Sequence, residues 1–245
     1  MAIHSVKDNS GEPNTWKTQL FANISGSEEF IVHIAIEMSE LVDASMIYGE
    51  EREKLKEAIL DVSFEGLMPA FEHLKKIRAL PGHPMAELNR KQLYEDFTRV
   101  LWHAYKDLMQ KAAKMMEPEF GFLFQKDAQF ETGLATWGDK RPGMAKALAG
   151  YFRLRRAEWQ NELSNFRNYL EHKDDTDPKA YATQYEPAHA ESLFEKVWRT
   201  IADVLAMLVS LHLPAGVRLV EIPPDHRHKE MPRRFSFDVQ GITKR

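Results

Sequence analysis

The chain has 245 residues, of which 43% are hydrophobic and 29% are charged, and this ordinary globular composition excludes a mostly disordered protein. It contains no cysteine, which excludes disulfides, thiolate zinc sites and cysteine nucleophiles. The formal net charge of −4 excludes the global basic field that binds duplex nucleic acid without sequence preference. Any phosphate chemistry must therefore depend on a local cluster of residues.

The N-terminal residues 1–24 are polar and are expected to form a tail without the apolar core of a secretory signal. The longest apolar stretch, residues 204–213, is far too short to span a bilayer. We therefore expect a cytoplasmic protein with no membrane partner.

Apolar residues recur with helical spacing in the first third of the chain. Ser25 and Glu28 have the spacing of a capping box, and the apolar positions that follow predict a first helix to about Asp43. A second helix is predicted over residues 50–78. We expect Pro69 to kink or restart it, because proline lacks a backbone donor and crowds the preceding turn.

The middle of the chain continues the helical pattern after a breaker at residues 80–84. A long third helix is predicted to end before Pro118. Residues 120–137 are apolar and aromatic and predict a fourth helix. After a loop at residues 138–143, a fifth helix is predicted over residues 144–173.

The last helix is predicted to start at Pro187, since proline suits the first helical turn. The hydrophobic period then changes, and two short strands are predicted near residues 217–222 and 235–239. The sequence thus predicts an all-α fold, a helical bundle with a short C-terminal β-hairpin. We expect residues 25–213 to form the helical domain and residues 214–245 to be a hairpin extension of it.

A short polar motif within the fifth predicted helix contains the candidate catalytic residues. Arg167, Asn168 and His172 fit the pattern Arg-Asn-x3-His. An arginine five residues before a histidine is common by chance, and Arg78 and His83 form another such pair. Requiring asparagine directly after the arginine lowers the chance expectation to roughly 0.02 for a chain of this composition.

Helical geometry places this motif away from the protein core. Asn168 and His172 lie one turn apart, and Arg167 lies on the flank of the helix within reach of His172. The opposite face is expected to be buried, because four large apolar residues cluster there: Trp159, Leu163, Phe166 and Leu170.

The chemistry of these side chains suits RNA. A guanidinium binds phosphate and stays charged, and an imidazole can move protons near neutral pH. RNA carries its own nucleophile, the 2′-hydroxyl, so cleavage to a cyclic phosphate needs no metal and no cofactor, and we expect neither here. Since one chain supplies one arginine and one histidine, a two-fold dimer with both motifs in one cleft is part of the hypothesis.

At these residues the sequence resembles the HEPN superfamily, helical proteins that carry Arg-x4–6-His, often Arg-Asn-x3-His, near the end of a helix. The resemblance implies a dimeric helical bundle and metal-independent endoribonuclease activity on single-stranded or loop RNA. It also implies that Arg167 and His172 are catalytic, and that a protein antitoxin or regulator in a toxin–antitoxin or phage-defence setting is a possible partner. We predict that Asn168, Lys173 and Arg156 contact the substrate.

An upstream acidic or polar residue often contributes to such sites. Three candidates remain open here: Glu162, Ser164 and Asn165.

Three other interpretations stand beside this one. In the first, the same helix face belongs to a catalytically inactive binding or scaffold module that binds a protein or a nucleotide, with Arg167 simply paired to Glu171 at helical spacing. In the second, the upstream arginines, Arg156 included, form an ordinary solvated face. The spacing of Glu186 and His189 resembles half of a di-iron site, but no second such pair completes it.

Overall fold

The computed structural model describes residues 28–80, 86–171, 186–227 and 233–239. The described helices are α1 (31–43), α2 (49–78), α3 (86–116), α4 (Asp127–Asp139), α5 (142–171) and α6 (Pro187–Ser210), with a 3-10 helix at Pro118–Phe124 and an antiparallel pair of strands, β1 (Val217–Glu221) and β2 (Phe235–Val239). The mainly helical fold with a short C-terminal hairpin is confirmed. The predicted tail and the capping serine lie outside the described residues.

Helix α1 lies in the centre of the bundle. Every residue of Ile31–Met38 is buried, and the helix ends at Asp43, as the sequence predicts. Helices α2 and α3 pack against each other as an antiparallel pair, and α6 contacts α1, α2 and α3. No helix in the described part of the chain combines the length and apolar character needed to cross a membrane.

Four of the described helices contain a π-helical segment. These wide turns interrupt the α-helical register of α1, α2, α3 and α5. They span Ile31–Met38, Val62–Leu67, Ala104–Met109 and Arg156–Gln160. The segments of α2 and α3 are in contact, and a Cβ atom on Gly66 would lie 2.8 Å from the Cβ of Ala104. The two helices approach this closely because glycine has no side chain there.

Pro69 does not interrupt helix α2. The π segment Val62–Leu67 comes immediately before it, and the α-helical register restarts at Met68, with Pro69 in the first turn. The wide π turn shifts the hydrogen-bond register just before the proline, which lacks the N–H group that an unbroken α-helix would use there. The predicted restart is therefore confirmed, without a separate helix.

The predicted single helix over residues 120–137 is wrong. Pro118–Phe124 forms a 3-10 helix, Gln125 and Lys126 have extended backbones, and α4 begins only at Asp127. The reason is packing: the short 3-10 turn places Phe120 against Trp137 of α4 and Phe152 of α5, and Phe122 against Phe130 of α4.

The hairpin is attached to the bundle through a buried carboxylate. Glu37 of α1 accepts hydrogen bonds from the backbone N–H groups of Arg234 (2.7 Å) and Phe235 (2.8 Å). The guanidinium of Arg234 also donates to Asp203 of α6, at 2.7 Å. Leu219 and Phe235 pack against the main core. The strands are thus held by hydrogen bonds and by apolar contact together.

Candidate functional site

The buried face of α5 is the one that the sequence predicts. Trp159 and Leu163 are fully buried, and Phe166 and Leu170 are nearly so. Trp159 fixes the helix, since its Nε1 donates to Thr200 of α6 (3.2 Å) and its ring meets that of Tyr105 of α3 edge-on. The opposite face of α5 is therefore the one turned away from the main core.

Arg167 lies on the flank of α5, as predicted. Its Nη1 is 2.5 Å from Glu171 Oε2 and donates to Asn168 Oδ1 at 3.2 Å. The Arg167 side chain is 33% exposed and that of Glu171 is 44% exposed, so water screens the pair. Such a pair is worth only a few tenths of a kcal/mol, which a phosphate can replace without a large cost. His172 and Lys173 lie outside the described residues.

A polar stripe runs along the same helix and ends at the motif. Its members recur every three or four residues and face a cleft with a volume of about 590 Å³. They are Gln160, Asn161, Ser164, Asn165 and Asn168. Amide and hydroxyl groups at this spacing offer both donors and acceptors along one line, which suits a polymer with a repeating polar backbone.

The opposite wall of the cleft comes from α3 and from the segment before α4. Trp102 and Lys106 belong to α3, and Gln125, Lys126 and Asp127 precede or begin α4. Both Trp102 and Lys106 are half-buried. The cleft therefore joins an aromatic ring and a cation to the amide stripe.

Arg156 is held firmly at the upstream end of the cleft. Its Nε donates to Asp127 Oδ1 (2.7 Å), its Nη2 donates to the carbonyl of Gln125 (2.8 Å), and the guanidinium lies 4.7 Å from the ring centre of Phe130. Only 8% of the residue is exposed. The interpretation of a solvated face is therefore wrong for Arg156, because Asp127, distant in sequence, pairs with it.

The charge of the cleft is basic. Lys106, Lys126 and Arg156 line it, against one carboxylate, Asp127. Lys106 Nζ donates to the carbonyl of Phe124 at 2.8 Å. Burial, helped by the nearby charge of Lys114, holds the pKa of Lys106 below its usual value. A local excess of positive charge favours an anionic ligand although the whole chain is acidic.

The structure separates the three upstream candidates. Glu162 is turned towards α6, where its Oε1 is 2.8 Å from Nε2 of His189. Ser164 and Asn165 line the cleft together with Asn168. The two neutral candidates therefore share the cleft with Asn168, whereas Arg167 is not among the residues that line it.

The remaining arginines of α5 bind carboxylates. Arg153 forms hydrogen bonds to Glu131 of α4, the shortest at 2.6 Å, and Arg155 is 2.8 Å from Glu158. Neither lines the cleft. Among the described residues, no three histidine, aspartate or glutamate side chains come together in a way that could hold a metal ion.

Several residues of the cleft were not found by sequence reasoning. Gln160, Asn161, Trp102 and Lys106 were not singled out as site residues. A signal existed for part of the stripe, because Asn161, Ser164, Asn165 and Asn168 repeat the helical period on the side opposite the apolar residues. No sequence pattern connects this stripe to Trp102 on another helix.

Comparison with known proteins gives no relative. The chain matches no protein-family model, no curated protein and no solved structure.

Proposed function

We propose that this protein is a metal-independent endoribonuclease of the HEPN type that cleaves single-stranded or loop RNA. The observation that carries the proposal is the position of the motif. Arg167 and Asn168 stand near the end of a helix with one buried face, and Asn168 lines a basic, amide-rich cleft large enough for a nucleotide. The resemblance of residues 167–172 to the HEPN signature implies the type of reaction, metal-independent cleavage of RNA.

The reaction uses the hydroxyl group of the substrate as its nucleophile. The 2′-oxygen attacks the adjacent phosphorus, the bond from phosphorus to the 5′-oxygen breaks, and the products are a 2′,3′-cyclic phosphate and a 5′-hydroxyl. One proton must leave the 2′-oxygen and one must reach the 5′-oxygen. We assign proton transfer to His172, stabilisation of the phosphate charge to Arg167, and orientation to Asn168.

Charge balance supports the role of Arg167. In the free protein Glu171 neutralises its guanidinium at the helix surface. A phosphodiester, like a carboxylate, offers two oxygens to the guanidinium fork, and it can compete for Arg167 because the Glu171 carboxylate is exposed to water. Lys126 and Lys106 extend the attraction along the cleft towards neighbouring phosphates.

The proposal includes a symmetric dimer. The two proton transfers are most readily shared by two imidazoles, and a two-fold axis would bring two copies of the motif into one cleft. A protein that remains monomeric at working concentrations and still cleaves RNA would contradict this part of the proposal.

The Arg167–Glu171 pair also favours a second candidate. In a catalytically inactive binding module this pair would only stabilise the end of α5, and the cleft would bind its ligand without turnover. Such a module would bind RNA or a partner protein and leave the bound molecule intact.

One experiment separates the two candidates. The purified chain is incubated in EDTA with a mixed RNA pool and with the same pool carrying 2′-O-methyl groups. The endoribonuclease is expected to cut only the unmodified pool and to leave 2′,3′-cyclic phosphate ends. Binding of both pools without products would favour the module, and products with 5′-phosphate ends would overturn the proposed chemistry.

A further inference from the structure

Two buried polar atoms beside the cleft have no hydrogen-bond partner among the described residues. They are Nη1 of Arg156 and Oε1 of Gln160. Both residues line the cleft, and they are 8% and 4% exposed. A buried donor or acceptor without a partner costs about 1–3 kcal/mol, so such atoms in a native protein call for an explanation.

The orientation of both side chains is fixed by their other contacts. The guanidinium of Arg156 is held by Asp127, by the carbonyl of Gln125 and by the ring of Phe130, which leaves Nη1 as its one unused nitrogen. Nε2 of Gln160 donates to the carbonyl of Leu123 at 2.7 Å. That bond fixes the orientation of the amide and leaves Oε1 without a hydrogen-bond partner.

The π-helical segment Arg156–Gln160 brings these two groups to the same side of α5. Residues four apart are neighbours on a helix, and the segment spans one wide turn. The unpartnered donor and the unpartnered acceptor thus belong to neighbouring positions of one helix, and both residues line the cleft. Trp102, half-buried in the facing wall, adds an aromatic surface to the same cleft.

We propose that the cleft is a nucleobase-reading subsite, in which Arg156 donates to and Gln160 accepts from the edge of one unpaired base that Trp102 stacks against. A base edge carries a ring or carbonyl acceptor next to an N–H donor, which complements this pair. The stripe from Asn161 to Asn168 would lead the sugar–phosphate backbone from the bound base towards the motif. The inference rests on the proposed function, since it takes RNA as the ligand.

The subsite gives the protein a sequence preference close to the cut. Backbone contacts to lysines and amides bind any RNA, whereas a donor and an acceptor in fixed positions distinguish one base from another. A correct pairing is worth about a tenfold or larger difference in affinity. Aromatic stacking adds affinity for every base and none for a sugar–phosphate backbone without bases.

The test measures binding apart from cleavage. Fluorescence anisotropy compares four 2′-O-methyl hexanucleotides, each of one base type, with an abasic oligomer of equal length, all of which lack the nucleophile. We expect one base type to bind at least about tenfold more tightly than the weakest, and the abasic oligomer to bind more weakly than all four. Equal affinity for the four hexanucleotides and the abasic oligomer would overturn the subsite.

Two variants assign the preference to these side chains. Gln160→Met keeps the length of the side chain and removes the acceptor together with the bond from Nε2 to the Leu123 carbonyl, so the preferred hexanucleotide should lose about tenfold in affinity. Trp102→Leu should lower the affinity for all four hexanucleotides and leave the affinity for the abasic oligomer unchanged. The matched control is Gln92→Met on the exposed surface of α3, outside the cleft, which should bind like the parent protein. A Gln160→Met protein that folds and keeps the full base preference would overturn the assignment.

The result also distinguishes this inference from the proposed function. A base preference in a protein that leaves unmodified RNA intact would support the subsite and contradict the endoribonuclease. Cleavage of unmodified RNA without any base preference would support the endoribonuclease and contradict the subsite.

Discussion

Two polar side-chain pairs with identical sequence spacing have opposite surroundings in this protein. His33 and Glu37 of α1 are four residues apart, at 3.0 Å, with side chains 2% and 3% exposed. Arg167 and Glu171 of α5 have the same spacing, at 2.5 Å, with side chains 33% and 44% exposed. The first pair lies inside the bundle, and the second lies at the end of the helix that carries the motif.

The difference lies in what else each carboxylate binds. Oε2 of Glu37 faces His33, which is stacked on Trp198, while its Oε1 accepts two backbone N–H groups of the hairpin. Glu171 faces only Arg167 among the described contacts. The buried carboxylate therefore joins α1 to the hairpin and holds the ring that stacks on Trp198 of α6, whereas the exposed one contacts a single arginine on its own helix. Burial, and not spacing, decides which polar pair is structural.

Glu37→Ala is the change with the largest expected effect on stability. It leaves the N–H groups of Arg234 and Phe235 and the ring of His33 without their buried partner. We expect the free energy of unfolding to fall by about 3–5 kcal/mol, as for other broken buried pairs. Urea denaturation followed by circular dichroism measures it, with Glu171→Ala as the matched surface control. A loss below about 1 kcal/mol would remove the distinction between the two pairs.

Arg167→Ala should affect catalysis and leave stability nearly unchanged. Loss of a charge-stabilising donor costs about 100- to 1,000-fold in rate, so the initial rate of RNA cleavage should fall by that factor. The free energy of unfolding should change by no more than about 1 kcal/mol, because the Arg167 pair is exposed. A large loss of stability together with normal cleavage would reverse the roles of the two pairs.

Glu37→Gln separates charge from hydrogen bonding at the buried site. The amide keeps a carbonyl oxygen for the N–H groups of Arg234 and Phe235 and loses only the negative charge that faces His33. We expect an intermediate loss of about 1–2 kcal/mol in urea denaturation. If this variant were as unstable as Glu37→Ala, the charge of Glu37 would matter more than its hydrogen bonds to the hairpin.

Glu171→Gln should have the smallest effect. An exposed pair at this spacing contributes about 0.2–0.5 kcal/mol, and salt screens it. The free energy of unfolding should therefore fall by no more than that amount at low ionic strength, and by less at high ionic strength. A loss above about 1 kcal/mol in the same urea titration would mean that Glu171 has a structural role like that of Glu37.

The helical bundle and its hairpin were predictable because apolar residues mark the buried side of each element. Trp159, Leu163, Phe166 and Leu170 fix the orientation of α5, and so the exposed position of Asn168, from the sequence alone. The 3-10 helix before α4 and the π-helical segments were not predictable. They depend on contacts between distant residues, such as Gly66 with Ala104, which local spacing does not contain.

The same limit applies to the candidate site. The motif at Arg167 and Asn168 is local and was found, whereas the burial of Arg156 depends on Asp127, which belongs to another helix. The pair of His33 and Glu37 was also missed, because its partners in the hairpin lie about two hundred residues away. Sequence spacing predicts which polar side chains can pair along a helix, but only the folded structure shows which of these pairs are buried.

The most direct test of the central claim is the cleavage rate of His172→Ala against the parent protein in EDTA. The sequence pattern predicts that His172 lies opposite the apolar residues of its helix, so we expect the variant to fold and to dimerise like the parent. We expect cyclic-phosphate products from the parent protein and a rate at least about 100-fold lower from the variant. Equal rates for the two proteins would show that the motif does not carry the reaction.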